Sequence, residues 1–436
     1  SHVGNPNDPV GPWYEAALPN REAFCIRDVS HQCIGNEILG QGKENFNMME
    51  KFVMNISEGR DYCSYWEINR YNKPAPVDYT SNQDFWYNLN ANFDLIDAAY
   101  KLYQWTGNKK YISSSAFDRF FQVTLNQYID RWQLQHDKIM QRPAFMNLTE
   151  TTLRFKEARG IPSYDESQDN MALGSDLLAI ITNGFSTYAK ILQHTGHLAE
   201  AKIYQEKAGK YKHLIDSLWW DNTTNTYYDF YKTDQKFYHG GTAKSEYLLW
   251  YQIMNDSSKI SRSLRDLQNS QTEVLSYLPM IFYRYGLSAE AYDYLNKIYT
   301  DPRRMYPEAS SGAMEGIVRG MMGIEPSASE NIIATCPRFH TKDIQVKVEN
   351  IPVFSGKISV NHVSSTKTIF KNSSNQMNAN TAQSLKWRAT FRGDFKQIKV
   401  NGKRFVAKHF LDPLHVTHSY IDIPLVSKSE ITAEAI

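Results

Sequence analysis

Carboxyl groups crowd two short turns of this chain. The first is Ser163-Tyr164-Asp165-Glu166-Ser167-Gln168-Asp169-Asn170, and the second is Met305-Tyr306-Pro307-Glu308-Ala309-Ser310. Breaking a glycosidic bond needs two such groups flanking one bond. One protonates the departing oxygen, and the other activates water or attacks. Asp165, Glu166 and Asp169 fall within five positions, and like charges that close raise the pKa of at least one of them, as a general acid requires. Helix capping accounts for one residue there, Asp169 or Asn170, ahead of the apolar run Leu177-Leu178-Ala179-Ile180-Ile181. Glu308 follows the stiffening Pro307 and precedes the small residues Ser310, Ser311, Gly312 and Ala313, which permit close backbone contact. Its plainer reading is also a cap, and Glu315 stands two helical turns further on as a substitute.

A third acidic position, Asp28 in Cys25-Ile26-Arg27-Asp28, opens another helix. As an N-cap it is unremarkable. As an acceptor for sugar hydroxyls it is well served by Arg27, whose guanidinium suits a bidentate carboxylate contact. Trp66-Glu67 and the run Phe85-Trp86-Tyr87-Asn88 supply candidate pocket linings, so Trp66, Glu67 and Trp86 join Arg27, Asp28 and Asp165 as expected substrate-binding residues. With 28 Tyr, 21 Phe and 9 Trp, aromatic faces for stacking on sugar rings are plentiful. Aromatics at helical spacing more often fill a core.

These residues need a scaffold. Residues 1–24 are rich in Asn, Pro and Gly and read as an extended lead-in. From Val29 to about Ile324 apolar residues recur at three and four, predicting helices over 29–40, 43–57, 85–106, 113–133, 171–195, 197–219, 243–254, 257–269, 272–285, 288–300 and 311–323. Gly107-Asn108, Gly196 and Gly286 supply stops between consecutive pairs. Paired helices with short links form αα-hairpins, and eleven helices come close to the twelve of a double ring of six hairpins. Hairpin lengths vary and long loops intervene at 58–84, 134–170 and 220–242, which favours a closed toroid over an open repeat array. Beyond Pro326 apolar and polar residues alternate, as in Lys357-Ile358-Ser359-Val360 and Gln397-Ile398-Lys399-Val400, and Val400-Asn401-Gly402-Lys403 carries a tight-hairpin signal. The expected architecture is mainly α: an (α/α)6 toroid over 1–330 and a small antiparallel β-sandwich over 331–436, the latter a structural cap rather than a glycan-binding module.

Composition narrows the alternatives. At 436 residues, with a net charge of +1, 42% hydrophobic and 22% charged residues, the chain is an ordinary globular protein. The absence of a long basic run argues against nucleic acid as a partner. No stretch of 18 apolar residues predicts a membrane span. No Gly-rich phosphate loop, His-Glu-x-x-His pair or Gly-x-Ser-x-Gly elbow occurs, and the 12 His are scattered, so neither a metal nor another cofactor is expected. Cys25, Cys33, Cys63 and Cys336 have no metal-ligand spacing and are too few for a disulfide scaffold. Ser1-His2 resembles the scar of an expression tag. With a signal peptide presumed removed, a secreted or periplasmic location is expected.

Together these segments resemble the inverting glycosidases built on an (α/α)6 barrel, which include glucoamylases, trehalases, processing α-glucosidases, exo-α-mannosidases and the debranching domains of glycogen enzymes. Ile26-Arg27-Asp28 is similar to their early Arg-Asp segment, whose Asp holds hydroxyls of the terminal sugar. Glu166-Ser167-Gln168-Asp169-Asn170 looks like the Glu-Ser-Gly-x-Asp-Asn segment that carries the general acid. It is one residue shorter and lacks the Gly, so Asp169 and Glu166 both stand as the acid. Pro307-Glu308-Ala309-Ser310, with Gly316-Ile317-Val318 and Gly323-Ile324-Glu325-Pro326 beyond it, resembles the late segment carrying the base. The resemblance implies an exo-acting, inverting glycoside hydrolase that takes an oligosaccharide or polysaccharide-derived glycan, with Glu308 as base and Arg27 and Asp28 on the terminal sugar. Two other classes fit the toroid. One is a polysaccharide lyase using Tyr, His31 or His239 as base, and the other is a non-catalytic glycan-binding protein.

Overall fold

The computed structural model describes residues 3–143, 153–269, 275–339, 345–374 and 384–436. Among the described residues eleven α-helices of five residues or more carry its first part: α1 Ile26–Ile38, α2 Gly42–Met54, α3 Ala91–Thr106, α4 Ser115–Val123, α5 Ser175–His194, α6 Leu198–Leu218, α7 Glu246–Trp250, α8 Ser257–Asn269, α9 Leu278–Arg284, α10 Ser288–Thr300 and α11 Pro307–Glu315. Helix α4 runs on through a π-turn at Thr124–Tyr128, and α11 through another at Gly316–Met321.

Two kinds of helix follow from two kinds of sequence. Helix α6 buries only Ala201, Tyr204, Ala208, Tyr211 and Ile215, a single stripe at three and four, so it lies on the outside. Helix α5 buries nearly every residue from Ser175 to Leu192, so it belongs to the interior. Contacts run from α1 to α3, α5, α7, α9 and α11 and back to α1. Those six helices form the inner ring, with α2, α4, α6, α8 and α10 outside it. The ring closes where Gly35 of α1 meets the backbone of α11: a Cβ at Gly35 would overlap the Ser311 carbonyl.

Periodicity located the helices to within a few residues at most ends. It misread two starts, where apolar or aromatic runs form short strands instead. Residues 85–90 contain Tyr87–Asn88, which pairs with Arg159–Ile161, and 171–174 form the strand Met171–Gly174, which pairs with Phe230–Lys232. A short apolar run reads alike as buried strand or helix. The expected start of the 272–285 helix lies outside the described residues. Helix α11 begins earlier than expected, at Pro307, because proline at the first helical position costs no backbone hydrogen bond.

The C-terminal part holds two sheets. One has five strands in the order Glu325–Ser327, Ile332–Thr335, Lys386–Arg392, Thr417–Pro424, Lys408–Leu411. The other has six, in the order Val346–Val353, Gly356–Ser364, Lys367–Asn372, Glu430–Ala435, Gln397–Val400, Lys403–Val406. All pairs are antiparallel except Ile332–Thr335 with Lys386–Arg392. Phe370 of one sheet stacks on Trp387 of the other with ring centroids 5.0 Å apart. Asn401 and Gly402 turn the expected hairpin with φ of 48° and 83°. The division expected at 330/331 falls between two strands of the five-stranded sheet, since Glu325–Ser327 already belongs to it. The sheets dock on the ring through Trp105, whose Nε1 donates to the Pro352 carbonyl at 2.7 Å and whose carbonyl accepts from Phe354 N at 3.0 Å.

Ring closure makes a direct prediction. Gly35→Ala should cost about 1–3 kcal/mol or more, as overpacking does. Gly209→Ala on α6, where a Cβ meets nothing within 4 Å, should gain about 0.5–1 kcal/mol. Denaturant unfolding of the two variants checks both signs.

Candidate functional site

Backbone pairing builds one wall of a cavity. Strand Ala23–Cys25 pairs with Glu67–Asn69, setting Cys25 opposite Glu67, and Ile26 N donates to the Trp66 carbonyl at 2.9 Å. Trp66 and Glu67 are thereby fixed beside the first turn of α1, which carries Arg27 and Asp28. Helix α11 is the ring neighbour of α1, and its first turn carries Glu308. A third wall is the acidic turn. Asn88 Nδ2 donates to Ser163 O at 3.1 Å and to Glu166 Oε1 at 2.9 Å, holding that carboxylate toward the ring.

The resulting cavity has a volume of about 300 Å³. Of the residues expected from sequence, Arg27, Asp28, Trp66, Glu67, Trp86, Glu166 and Glu308 all line it. Asp165 and Asp169 do not. Asp165 is spent on the loop: Oδ1 accepts from Ser167 N and Oγ at 3.0 and 2.6 Å, and Oδ2 accepts from Thr242 N at 2.9 Å. Burial works against its charge, but the Ser167 and Thr242 donors outweigh it and hold its pKa below the usual carboxylate range. Asp169 is exposed on the turn. Sequence reasoning gave no role to Arg21, Gln32, Asp78, Arg303 and Tyr306, which line the cavity too. Gln32 follows Asp28 by one helical turn and Tyr306 adjoins the Glu308 turn, whereas Arg21 and Asp78 come there by chain pairing.

Arginines thread between the carboxyl groups. Arg27 Nε lies 3.9 Å from Asp28 Oδ1, its NH1 lies 3.6 Å from Glu166 Oε1, and its guanidinium sits 5.7 Å from the Trp66 ring and 5.9 Å from that of Tyr164. Arg303 NH2 is 3.5 Å from Glu308 Oε1. Burial, then the Glu308 charge, pushes the Asp28 pKa up to about 8, with Arg27 opposing. Burial, then Asp78 beside it, pushes Glu67 up to about 9, although Arg21 NH1 donates to its Oε2 at 2.9 Å.

A second set of buried acids supports the site from below. Asp176, wholly buried at the start of α5, accepts from Tyr164 N at 2.6 Å, Ser163 Oγ at 2.9 Å and Asn90 Nδ2 at 3.0 Å. Burial raises its pKa to about 7 against those donors. Sequence reasoning gave it no role; in the structure it clamps the acidic turn. Asp94 of α3 is 2% exposed, and its Oδ1 accepts from the hydroxyls of Tyr164 and of Tyr251, the latter at 3.1 Å, with His31 Nε2 at 3.3 Å.

Protonated Asp28 and Glu67 tie stability to pH. Asp28 binds its proton up to about 8 in the folded chain, whereas an unfolded aspartate releases it near 4. Between those values the folded state holds the extra proton, so stability from this group is present in acid and lost as pH rises. Replacing Asp28 with Asn and Glu67 with Gln should flatten the fall in thermal midpoint between pH 5 and pH 9, by on the order of 1–3 kcal/mol. Calorimetric scans across that range test it, and an unchanged slope would refute it.

Comparison with known proteins agrees with this architecture. Residues 165–291, from the acidic turn into α10, match the trehalase family model. No curated protein matches the chain. Among solved structures, an α-L-rhamnosidase from Dictyoglumus thermophilum aligns with a TM-score of 0.57 at 13% identity, over 94% of this chain and 46% of that one. An α-L-rhamnosidase from Aspergillus terreus gives 0.53 at 11%, over 92% and 46%. A protein described as a kojibiose phosphorylase from the human microbiome gives 0.53 at 10%, over 97% and 63%. The chain thus spans less than half the length of those rhamnosidases. The chain is similar in fold to these proteins, and over residues 165–291 it is similar in sequence to the trehalase family.

Proposed function

We propose that the chain is an exo-acting glycoside hydrolase of inverting mechanism, its C-terminal sheets forming a β-sandwich that buttresses the barrel. The observation that carries this reading is the single cavity in which Glu166, from the turn before α5, and Glu308, from the start of α11, stand with Asp28 and Arg27. Glu166 is the general acid, protonating the departing oxygen. Glu308 is the base that activates water, and Arg27 with Asp28 holds the terminal sugar. Glu166 is preferred to Asp169 because it lines the cavity and Asp169 does not. A pocket of about 300 Å³ has room for a terminal sugar unit, which supports exo action. The wall has no excess of positive charge, which disfavours a lyase acting on anionic glycans.

The assignment is tested with α,α-trehalose, aryl α- and β-glycosides including α-L-rhamnosides, and reducing and non-reducing oligosaccharides. Glu308→Gln and Glu166→Gln should each lower kcat by about 10²-fold or more, and Asp169→Asn by less than about threefold. Loss of turnover in Asp169→Asn with Glu166→Gln active would transfer the acid role. Proton NMR of the first product, before mutarotation, should show the anomer opposite to that of the substrate; retention would remove the inverting mechanism.

A further inference from the structure

Two side chains in the cavity wall are buried with hydrogen-bonding atoms that the protein leaves unused. Gln32 lies on α1 one turn beyond Asp28 and is 1% exposed. Among the described residues neither its Oε1 nor its Nε2 finds a hydrogen-bond partner. Glu67 is 2% exposed; its Oε2 is taken by Arg21, while its Oε1 accepts from nothing. Both residues line the same cavity as Asp28, Glu166 and Glu308. Buried amides and carboxyls left without partners cost stability, so their retention in a cavity wall points to a ligand that completes them.

The chemistry of the three free atoms restricts that ligand. Gln32 Nε2 donates, Gln32 Oε1 accepts, and Glu67, which keeps its proton at neutral pH, can donate or accept. A carboxylate or phosphate only accepts and would leave Gln32 Oε1 unsatisfied. A hydroxyl both donates and accepts, so two neighbouring hydroxyls can satisfy all three. Charge agrees with this. The wall carries the carboxyl groups of Asp28, Glu67, Asp78, Glu166 and Glu308 against the guanidiniums of Arg21, Arg27 and Arg303. With Asp28 and Glu67 protonated, the three remaining carboxylates balance the three guanidiniums, so an entering anion finds no positive excess to offset its desolvation.

We propose that Gln32 and Glu67 form a hydroxyl-reading floor, and that the terminal unit it accepts is an uncharged sugar bearing adjacent hydroxyls, with uronic acids excluded. This rests on the glycosidase reading of the same cavity and names its substrate class. The competing account is purely structural: Asp78 lies beside Glu67, with Arg21 NH1 3.5 Å from its Oδ2, and one proton shared by the two acids would occupy Glu67 Oε1.

Calorimetric titration of the full chain with D-glucose, D-mannose, D-galactose, L-rhamnose, D-glucuronate and D-galacturonate tests the floor, with aryl-glycoside turnover followed in parallel. At least one neutral sugar should bind, and the uronates should bind about tenfold more weakly or worse. Gln32→Leu should weaken binding of the neutral sugar by about tenfold or more, because a site built for a hydroxyl discriminates strongly. It should also raise the thermal midpoint, since it removes two unpaired buried atoms. Glu67→Gln, which keeps the shape of the side chain, should weaken neutral-sugar binding as well. Uronates binding as tightly as neutral sugars, no neutral sugar binding, or unchanged affinity in both variants would overturn the proposal. Neutral-sugar binding with no turnover on any glycoside would defeat the hydrolase reading and leave the floor standing. Turnover with uronides preferred would do the reverse.

Discussion

One buried carboxylate holds the centre of the barrel together. Asp94 Oδ1 gathers the Tyr164 hydroxyl, the Tyr251 hydroxyl and His31 Nε2, tying α1, α3, the acidic turn and the segment after α7 to one point. A polar group buried so deeply is kept only where hydrogen-bond partners converge on it, so each of those elements is held in register by its contact with Asp94. His31 sits one turn beyond Asp28 on α1, and Tyr164 sits two residues before Glu166. The cavity residues are therefore the upper layer of a structure whose lower layer is this hub. Its aromatic surroundings keep water away: Tyr164 stacks on Tyr247 at 4.3 Å, and His31 meets Tyr277 edge-on at 5.1 Å.

Asp176 plays the same part for the turn itself. It binds Ser163, Tyr164 and Asn90 at once, while Asn88 holds both Ser163 and Glu166. The role proposed for Glu166 needs a rigid turn, because misplacement by about 1 Å lowers a rate steeply. Here rigidity comes from buried acids that never touch the cavity. Acidic residues in this chain thus divide into those that face the cavity and those that fix the geometry behind it.

That division explains how far the sequence could be read. Helical periodicity is a local property, and it located all eleven helices, from α1 to the edges of α11. The Asn401-Gly402 turn was equally local, because a type I′ geometry selects those residues. Cavity membership is a property of tertiary pairing. Arg27, Asp28, Glu166 and Glu308 stood out because acid and base chemistry has a composition. Gln32, Arg21 and Asp78 did not, because an isolated amide or ion pair looks like any surface residue until strands Ala23–Cys25 and Glu67–Asn69 are zipped together. Asp169 shows the opposite failure. Its crowding with Asp165 and Glu166 looked chemical, yet the turn faces Asp169 outward and uses Asp165 as a brace.

The seam between Gly35 and Ser311 bears on how the molecule is made. The first and last inner helices meet there, so the ring cannot close until nearly three quarters of the chain has left the ribosome. At about 5–20 residues per second, the apolar flank of α1 waits many seconds for its partner. During that interval a partial ring presents an open, greasy edge to any other chain nearby. Recombinant yield should therefore depend on translation speed, temperature and chaperone supply more than on the stability of the finished fold, which is a practical matter for anyone preparing the protein.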